Sequence, residues 1–444
     1  STGSEKPVYW DFFGTFFQFY DRDTVKPDAA DRIVTNSLLT TGINYSSRLV
    51  NGDYKMRTNF SALHTYDFIA DETDKTRVND MYFDMISPEQ IVDTRIGRQK
   101  GRSSGVVGRF DGVDAGYRFH PSHQIRLIAG YPVEFSGQTV AHETDKHFVS
   151  AGYTWTGFLP NWEGSLFALQ QVADDITDRQ EIGSELRYRT EQQSFFAMLD
   201  YSTAFAEINY LMMVYNRRLP NQATVDVIAD YRKSPFLTTS SSLQGQTGVS
   251  TMGDLLAALS EQELEQLALD RTGLYKSITT LYTQPIRENL EFNADFSVSS
   301  LSGTDATVAS GIITQVDAQE GTGNEYSYSA GLVSSNLLTD NDVNILNIRY
   351  SQLFSSDILS VTGSAKYRIR NDWRLGPKLQ MEQRDYDDGR HSDKLAPSVR
   401  IEYRQNKNWQ FESDLTYENK STTSVTGTEK ESSFFIHLGY YYIF

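Results

Sequence analysis

With 444 residues and no cysteine, the chain is long enough for several soluble domains or one large barrel, and it excludes disulfide staples and thiolate metal sites. A formal net charge of −17 argues against a nucleic-acid partner. Aromatic residues make up 13 % of the chain while mean hydropathy is only −0.47, and no apolar run approaches the ~20 residues of a membrane helix.

In chain order the sequence reads as stretches of alternating apolar and polar residues, each about ten long. The first, Val8–Tyr20, is crowded with Trp10, Phe12, Phe13, Phe16 and Phe17, and a polar loop is expected over Asp21–Val34. Ser37–Leu49 and Tyr54–Phe68 flank Asn51-Gly52, a strong two-residue hairpin signal. Beyond an acidic loop, Ala70–Asp80, come Met81–Ile86 and Val92–Gln99, then Val113–Phe119 and Gln124–Phe135 around a tight turn at His120–His123. Further pairs surround Leu159–Asn161, Thr190–Gln192 and Leu219–Asn221.

Residues 236–271 break the pattern. After a Ser/Thr/Gly/Gln stretch, Asp254–Leu259 and Glu261–Asp270 read as short helices, with Ser260 and Glu263 forming a capping box. Leu256, Leu264 and Leu267 form an apolar stripe that needs a cover, and the segment is a candidate plug or gate. Its Ser/Thr/Gly-rich start, Thr238–Thr251, gives it slack to fold inward, and because a polar lumen is a poor partner for the stripe, weak and reversible docking is expected. Strands resume at Leu274–Gln284. A long loop over Leu301–Gly323 follows, and the closing set runs to Trp409–Tyr417 and Phe434–Phe444. The sum is about 22 strands, within roughly 18 to 24. The fold expected is all-β: one transmembrane antiparallel up-and-down barrel over residues 1–444, with short turns mostly at the end that holds both termini. No signal peptide precedes Ser1, the reading expected of a mature or trimmed chain.

Alternation predicts a polar lumen. Glu185, Arg187 and Arg189 point inward opposite Leu186 and Tyr188, and Lys366, Arg368 and Arg370 opposite Ala365, Tyr367 and Ile369. Lys378, Glu382 and Arg384 lie opposite Leu379 and Met381, and Arg400, Glu402 and Arg404 opposite Ile401 and Tyr403. These charges are either a selectivity surface or salt bridges that hold the wall together.

The last residues, SSFFIHLGYYYIF, alternate to a terminal aromatic. They resemble the insertion signal of bacterial outer-membrane barrels, with His437, Gly439, Tyr442 and Phe444 in its four places. Thr94–Gln99, TRIGRQ, and Gly108–Val113, GRFDGV, are similar over about forty residues to the general porin and exporter group, where such a strand precedes an inward-folding loop. That resemblance makes Arg95, Arg98, Arg102, Arg109 and Asp111 a candidate constriction. It implies a Gram-negative outer-membrane location, with outer-membrane lipids, lipopolysaccharide and the barrel-insertion machinery as partners.

No hydrolase motif, phosphate loop or metal-ligand spacing stands out, so no catalytic residue, metal or cofactor is expected. His64 and His147 are not singled out, and the aspartates at 174, 175, 178, 340 and 342 read as solvated loop charge rather than a calcium site. The expected function is a channel that exports a polymer or passes polar solutes. The alternatives are a non-conducting barrel that scaffolds a periplasmic or lipoprotein partner and, further off, an outer-membrane hydrolase.

Overall fold

The computed structural model of the protein describes residues 8–28, 30–69, 74–102, 104–133 and 146–444. Its first strands are β1 Val8–Pro27, β2 Ile33–Asn51, β3 Tyr54–Asp67, β4 Lys75–Ile86, β5 Val92–Lys100, β6 Arg109–His120 and β7 His123–Val133. Then come β8 His147–Thr156, β9 Trp162–Ala173, β10 Ile176–Arg189, β11 Gln193–Ser202, β12 Glu207–Arg218 and β13 Thr224–Ser234. Helices α1 Met252–Leu256 and α2 Glu261–Asp270 lead into β14 Gly273–Arg287, β15 Leu290–Leu301, β16 Glu325–Ser335 and β17 Val343–Leu353. The last are β18 Ser356–Arg368, β19 Trp373–Tyr386, β20 His391–Arg404, β21 Trp409–Ser424 and β22 Gly427–Ile443. Each strand pairs antiparallel with the next, and β22 pairs with β1, closing a barrel of 22 strands.

Closure is sealed by the terminal residues. Phe444 and Gly14 exchange backbone hydrogen bonds of 2.9 and 3.0 Å. A Cβ on Gly14 would stand 2.2 Å from the Phe444 ring, so glycine makes room for the final aromatic. Gly439 does the same for Phe19 on the inner face. Tyr442 packs on Trp409 at 4.8 Å, and His437 stacks on Phe19 at 4.7 Å while its Nδ1 lies 2.6 Å from Asp21.

The outer face carries the large exposed apolar side chains, among them Ile96, Leu127, Ile182, Ile348 and Met381. At the end that holds both termini this face is ringed by aromatic pairs: Trp162 on Tyr188 at 5.0 Å, Trp373 on Tyr403 at 4.5 Å and Trp409 on Tyr442. An exposed apolar face with an aromatic girdle on a closed, edge-free sheet has its stable environment in lipid. The fold is that of a transmembrane β-barrel of the bacterial outer membrane. Its terminal end is periplasmic, and the connections after β5, β13 and β15 lie at the extracellular end.

Several expected boundaries are corrected. The loop over Asp21–Val34 shrinks to 28–32, and the strands expected at Trp409–Tyr417 and Phe434–Phe444 extend to Ser424 and back to Gly427. Above the lipid both faces of a strand are wetted, so the apolar alternation that marks a strand disappears while its hydrogen bonds continue. The expected acidic loop over Ala70–Asp80 ends at Lys75, where β4 begins, and residues 70–73 lie outside the described ones. Tight turns also occur at both ends. Asp174 and Asp175, with φ of 52° and 61°, close an extracellular two-residue turn between Ala173 and Ile176.

Candidate functional site

The lumen has two unlike halves. In the first, from β5 to β12, the inner face is packed. Phe110, Ile128, Phe148 and Leu169 occupy inward positions on four successive strands and form a buried cluster, with the Phe110 and Phe148 rings edge to face at 5.3 Å. Burial of such side chains stabilises by roughly 1.5–3 kcal/mol each. What buries them is connection 101–108, which folds into the barrel and lays Val106 on the cluster. Ser150 Oγ donates to the Ser104 carbonyl, and Arg179 donates to the Gly105 carbonyl. Gly105 has φ +72°, and a Cβ there would meet the Phe167 ring at 2.4 Å, so both conformation and space require glycine.

Beneath the loop the wall is laced by charge. Asp84 accepts from Arg57 at 2.6 Å and Arg95 at 2.8 Å. Arg102 reaches down from the loop to Asp114 at 2.7 Å, and Arg126 bridges Asp114 and Asp93. Asp114 is 1 % exposed and holds two guanidinium groups, so the ladder fixes the loop to the wall by charge-assisted hydrogen bonds.

The five candidate constriction residues divide between two faces. Arg95 belongs to the inner ladder and Arg102 hangs onto it from the loop. Arg98 and Asp111 are direct register partners on the other set of alternating positions and close on each other at 2.7 Å. Arg109 also belongs to that set. In the strand motif, Gly97 has φ +119° and lies so close to the β4 backbone that a Cβ would stand 2.2 Å from the Met81 carbonyl oxygen. Gln99, fully buried, donates to the Arg95 and Gly112 carbonyls. The Gly-Arg-Gln and Asp-Gly residues thus form a clasp at the root of the inward loop.

The helical insertion is rooted on the same wall. Asn209, the extra residue of a bulge in β12, exchanges hydrogen bonds of 3.0 Å with the backbone of Leu237 and donates to Glu181. The Arg179 guanidinium covers the Phe236 ring at 4.5 Å. Asp178 accepts from the Ser240 amide at 2.8 Å and hydroxyl at 2.7 Å, and Asp174 accepts from the Met252 amide. The Ser/Thr-rich start is therefore a 3-10 turn, Thr239–Leu243, held by buried hydrogen bonds, not a slack tether.

The helices match expectation at α2, while the first begins earlier and ends at Leu256. Their caps titrate low: hydrogen bonds from Ser260 hold the Glu263 carboxyl below the usual range, and those from Thr251 and Ser250 do the same for Asp254. Leu264 and Leu267 are buried. In the first helix Met252 and Leu255 are fully buried, and Leu256 flanks Leu255. Their cover is Ile313 of connection 302–324, which also bonds the insertion through Thr314 and Gln246 at 2.7 Å.

The second half of the lumen, from β14 to β22, is polar, and no loop among the described residues packs its inner charged positions. Lys366 and Arg374 flank Glu402 at 3.0 and 3.5 Å, Arg400 reaches Glu412 at 2.8 Å, and Lys394 reaches Glu382 at 3.1 Å. By register, Lys366, Arg368, Lys378, Glu382, Arg384, Arg400, Glu402 and Arg404 share one set of alternating positions. Arg370 lies in the turn beyond β18. Glu185, Arg187 and Arg189 share the inner set of β10 with Glu181, below the packed region.

Sequence reasoning missed Asp84, Asp93, Asp114, Arg126 and Asn209, and the reading of Asp178 as solvated loop charge is corrected: it is fully buried in β10. Alternation carried through β4–β7 would have placed the first four on one face. Nothing local marks Asp178 or Asn209, whose partners lie 62 and 28 residues away. Among the described residues no cluster of His, Asp and Glu has metal-binding geometry. Asp342 is occupied in accepting the amides of Leu337, Leu338 and Thr339.

No protein-family model and no curated protein matches the chain. Among solved structures it aligns with OccAB1 of Acinetobacter baumannii at 9 % identity and a TM-score of 0.43, covering 97 % of this chain and 96 % of that one. It aligns with OccD3 (OpdP) of Pseudomonas aeruginosa at 10 % identity and a TM-score of 0.38, covering 97 % and 91 %.

Proposed function

We propose that the protein is a diffusion channel for small polar solutes, narrowed on one side by connection 101–108 and by the root of the helical insertion. The observation that supports this is the asymmetry of the lumen. Loop, apolar cluster and buried ladder fill one wall, and an unpacked lining of Arg, Lys and Glu faces them. A polar lining offers hydrogen bonds and charge to a hydrated solute. A loop fastened to the wall by several buried contacts sets a fixed width better than it serves as a swinging door. The insertion then acts as a roof anchored to the rim, with its helices covered by connection 302–324.

Planar-bilayer recording tests this. Replacing residues 102–107 by a short Gly/Ser link should raise single-channel conductance more than removing 244–270 does. A purified, heat-modifiable barrel with no conductance in either form would favour the scaffold role, and conductance unchanged by the first deletion would remove the loop from the pore.

A further inference from the structure

The wall itself is interrupted in one place. Between β18 and β19 the register is kept, yet pairing stops after Ser364–Lys378 and resumes at Tyr367–Leu375. The missing rungs fall at Ala365 and Lys366 opposite Pro377 and Gly376. Between β20 and β21 a second gap, from Leu395–Asn419 to Ser398–Thr416, falls at Pro397. Proline has no N–H to give to a ladder and is rare inside sheets. Here the two prolines lie on adjacent strands, so the fully paired β19–β20 hairpin is loosened along both flanks.

At the first gap a cavity opens on each side of the wall. The outer one, 540 Å³, is an apolar groove lined by Leu332, Leu346, Gly363 and Leu379. Nothing lies within 4 Å of where a Cβ on Gly363 would project. The inner one, 220 Å³, is lined by Lys366, Arg374, Lys378 and Arg400, with Glu402 and Asp414 as its acids. Ser364, Ala365, Pro377 and Lys378 line both. The gap lies a few residues from the periplasmic turn at 369–372, at the depth of the inner leaflet.

We propose that this interruption is a lateral portal for an anionic amphiphile. The head group sits inside among Lys366, Lys378, Arg374 and Arg400, and the alkyl chain lies outside in the groove past Gly363. The charge complement selects the occupant. Glu402 engages Lys366, Arg374 and Arg400, Arg400 also reaches Glu412, and Lys378 has no ion pair among the described residues, so four cations against Glu402, Glu412 and Asp414 leave an excess of positive charge that favours a carboxylate or phosphate head over a neutral one. The groove supplies what any alkyl chain needs, and the two missing rungs, flanked by Gly363, Ala365 and Gly376, are where the one molecule would cross the wall.

The test uses the whole barrel in phosphatidylcholine vesicles with a diazirine-bearing long-chain fatty acid, compared with the matching fatty alcohol. The acid should label peptides from 359–384 severalfold more than the alcohol does. Gly363→Trp, which fills open space in the groove, and the double variant Lys366→Gln/Lys378→Gln should each remove that preference. Labelling that is equal for the two probes, or unchanged in both folded, heat-modifiable variants, would overturn the portal and leave the groove filled by bulk lipid. Conductance is read separately, so this failure is distinct from failure of the channel.

Discussion

The two halves of the lumen use the same inner face of the same kind of strand for opposite purposes. On β6–β9 the inward positions hold Phe110, Ile128, Phe148 and Leu169, and a loop is needed to cover them. On β18–β21 they hold Lys366, Lys378, Arg400 and Glu412, and water suffices. A small folded core has been placed inside a barrel wall, so rigidity and solvation are divided around the circumference. Substitutions at equivalent inward positions should therefore have unequal effects.

Phe110→Ala, at a position 1 % exposed, should cost ~3–5 kcal/mol of loop docking and barrel stability in urea unfolding and widen the pore. A cost near that of an exposed site would mean the cluster is not a core. Asp178→Ala removes the acceptor of Ser240, Gln171 and Lys146, and it should loosen the insertion by ~1–3 kcal/mol. Faster hydrogen exchange over Glu261–Asp270, with the strands unchanged, would show this.

On the polar half, Arg400→Gln should change stability by under ~1 kcal/mol, because its side chain is 49 % exposed, yet shift reversal potential toward cations. A stability loss as large as that of Phe110→Ala would erase the contrast between the walls. The smallest effect is expected with pH. The Glu263 and Asp254 carboxyls titrate lower folded than unfolded, so their stabilisation is present above the ordinary carboxylate range and lost as pH falls through their folded values. Acid should fray both helices without opening the barrel, and Glu263→Gln with Asp254→Asn should abolish the pH step in helix exchange rates.

The sequence made the barrel legible because lipid enforces alternation on every strand. The strand number, the closing segment and the second helix could all be read from spacing. The extracellular ends of β1, β21 and β22 could not, since water on both faces removes the pattern. The clasp residues Arg98 and Asp111 were found by motif, but their face was not, because a strand position three residues from Arg95 belongs to the other side. The hold on the insertion was invisible: Asn209 looks like any polar strand residue, and Asp178 like loop charge, until a distant segment lies on them. The prolines at 377 and 397 were visible throughout, and only the paired cavities show what they interrupt.

The seam between β1 and β22 sets an order of assembly. Every other strand pair joins chain neighbours, so sheet can form hairpin by hairpin at small entropic cost. His437 and Asp21 meet across 416 residues, and neither Phe444 nor Gly14 has its partner until the final strand arrives. The growing sheet therefore keeps two raw edges that any other strand could take, the hazard that leads open sheets to aggregate. Packing the last strand densely with Phe19, Tyr441 and Phe444 makes the right partner for the first edge its own distant end.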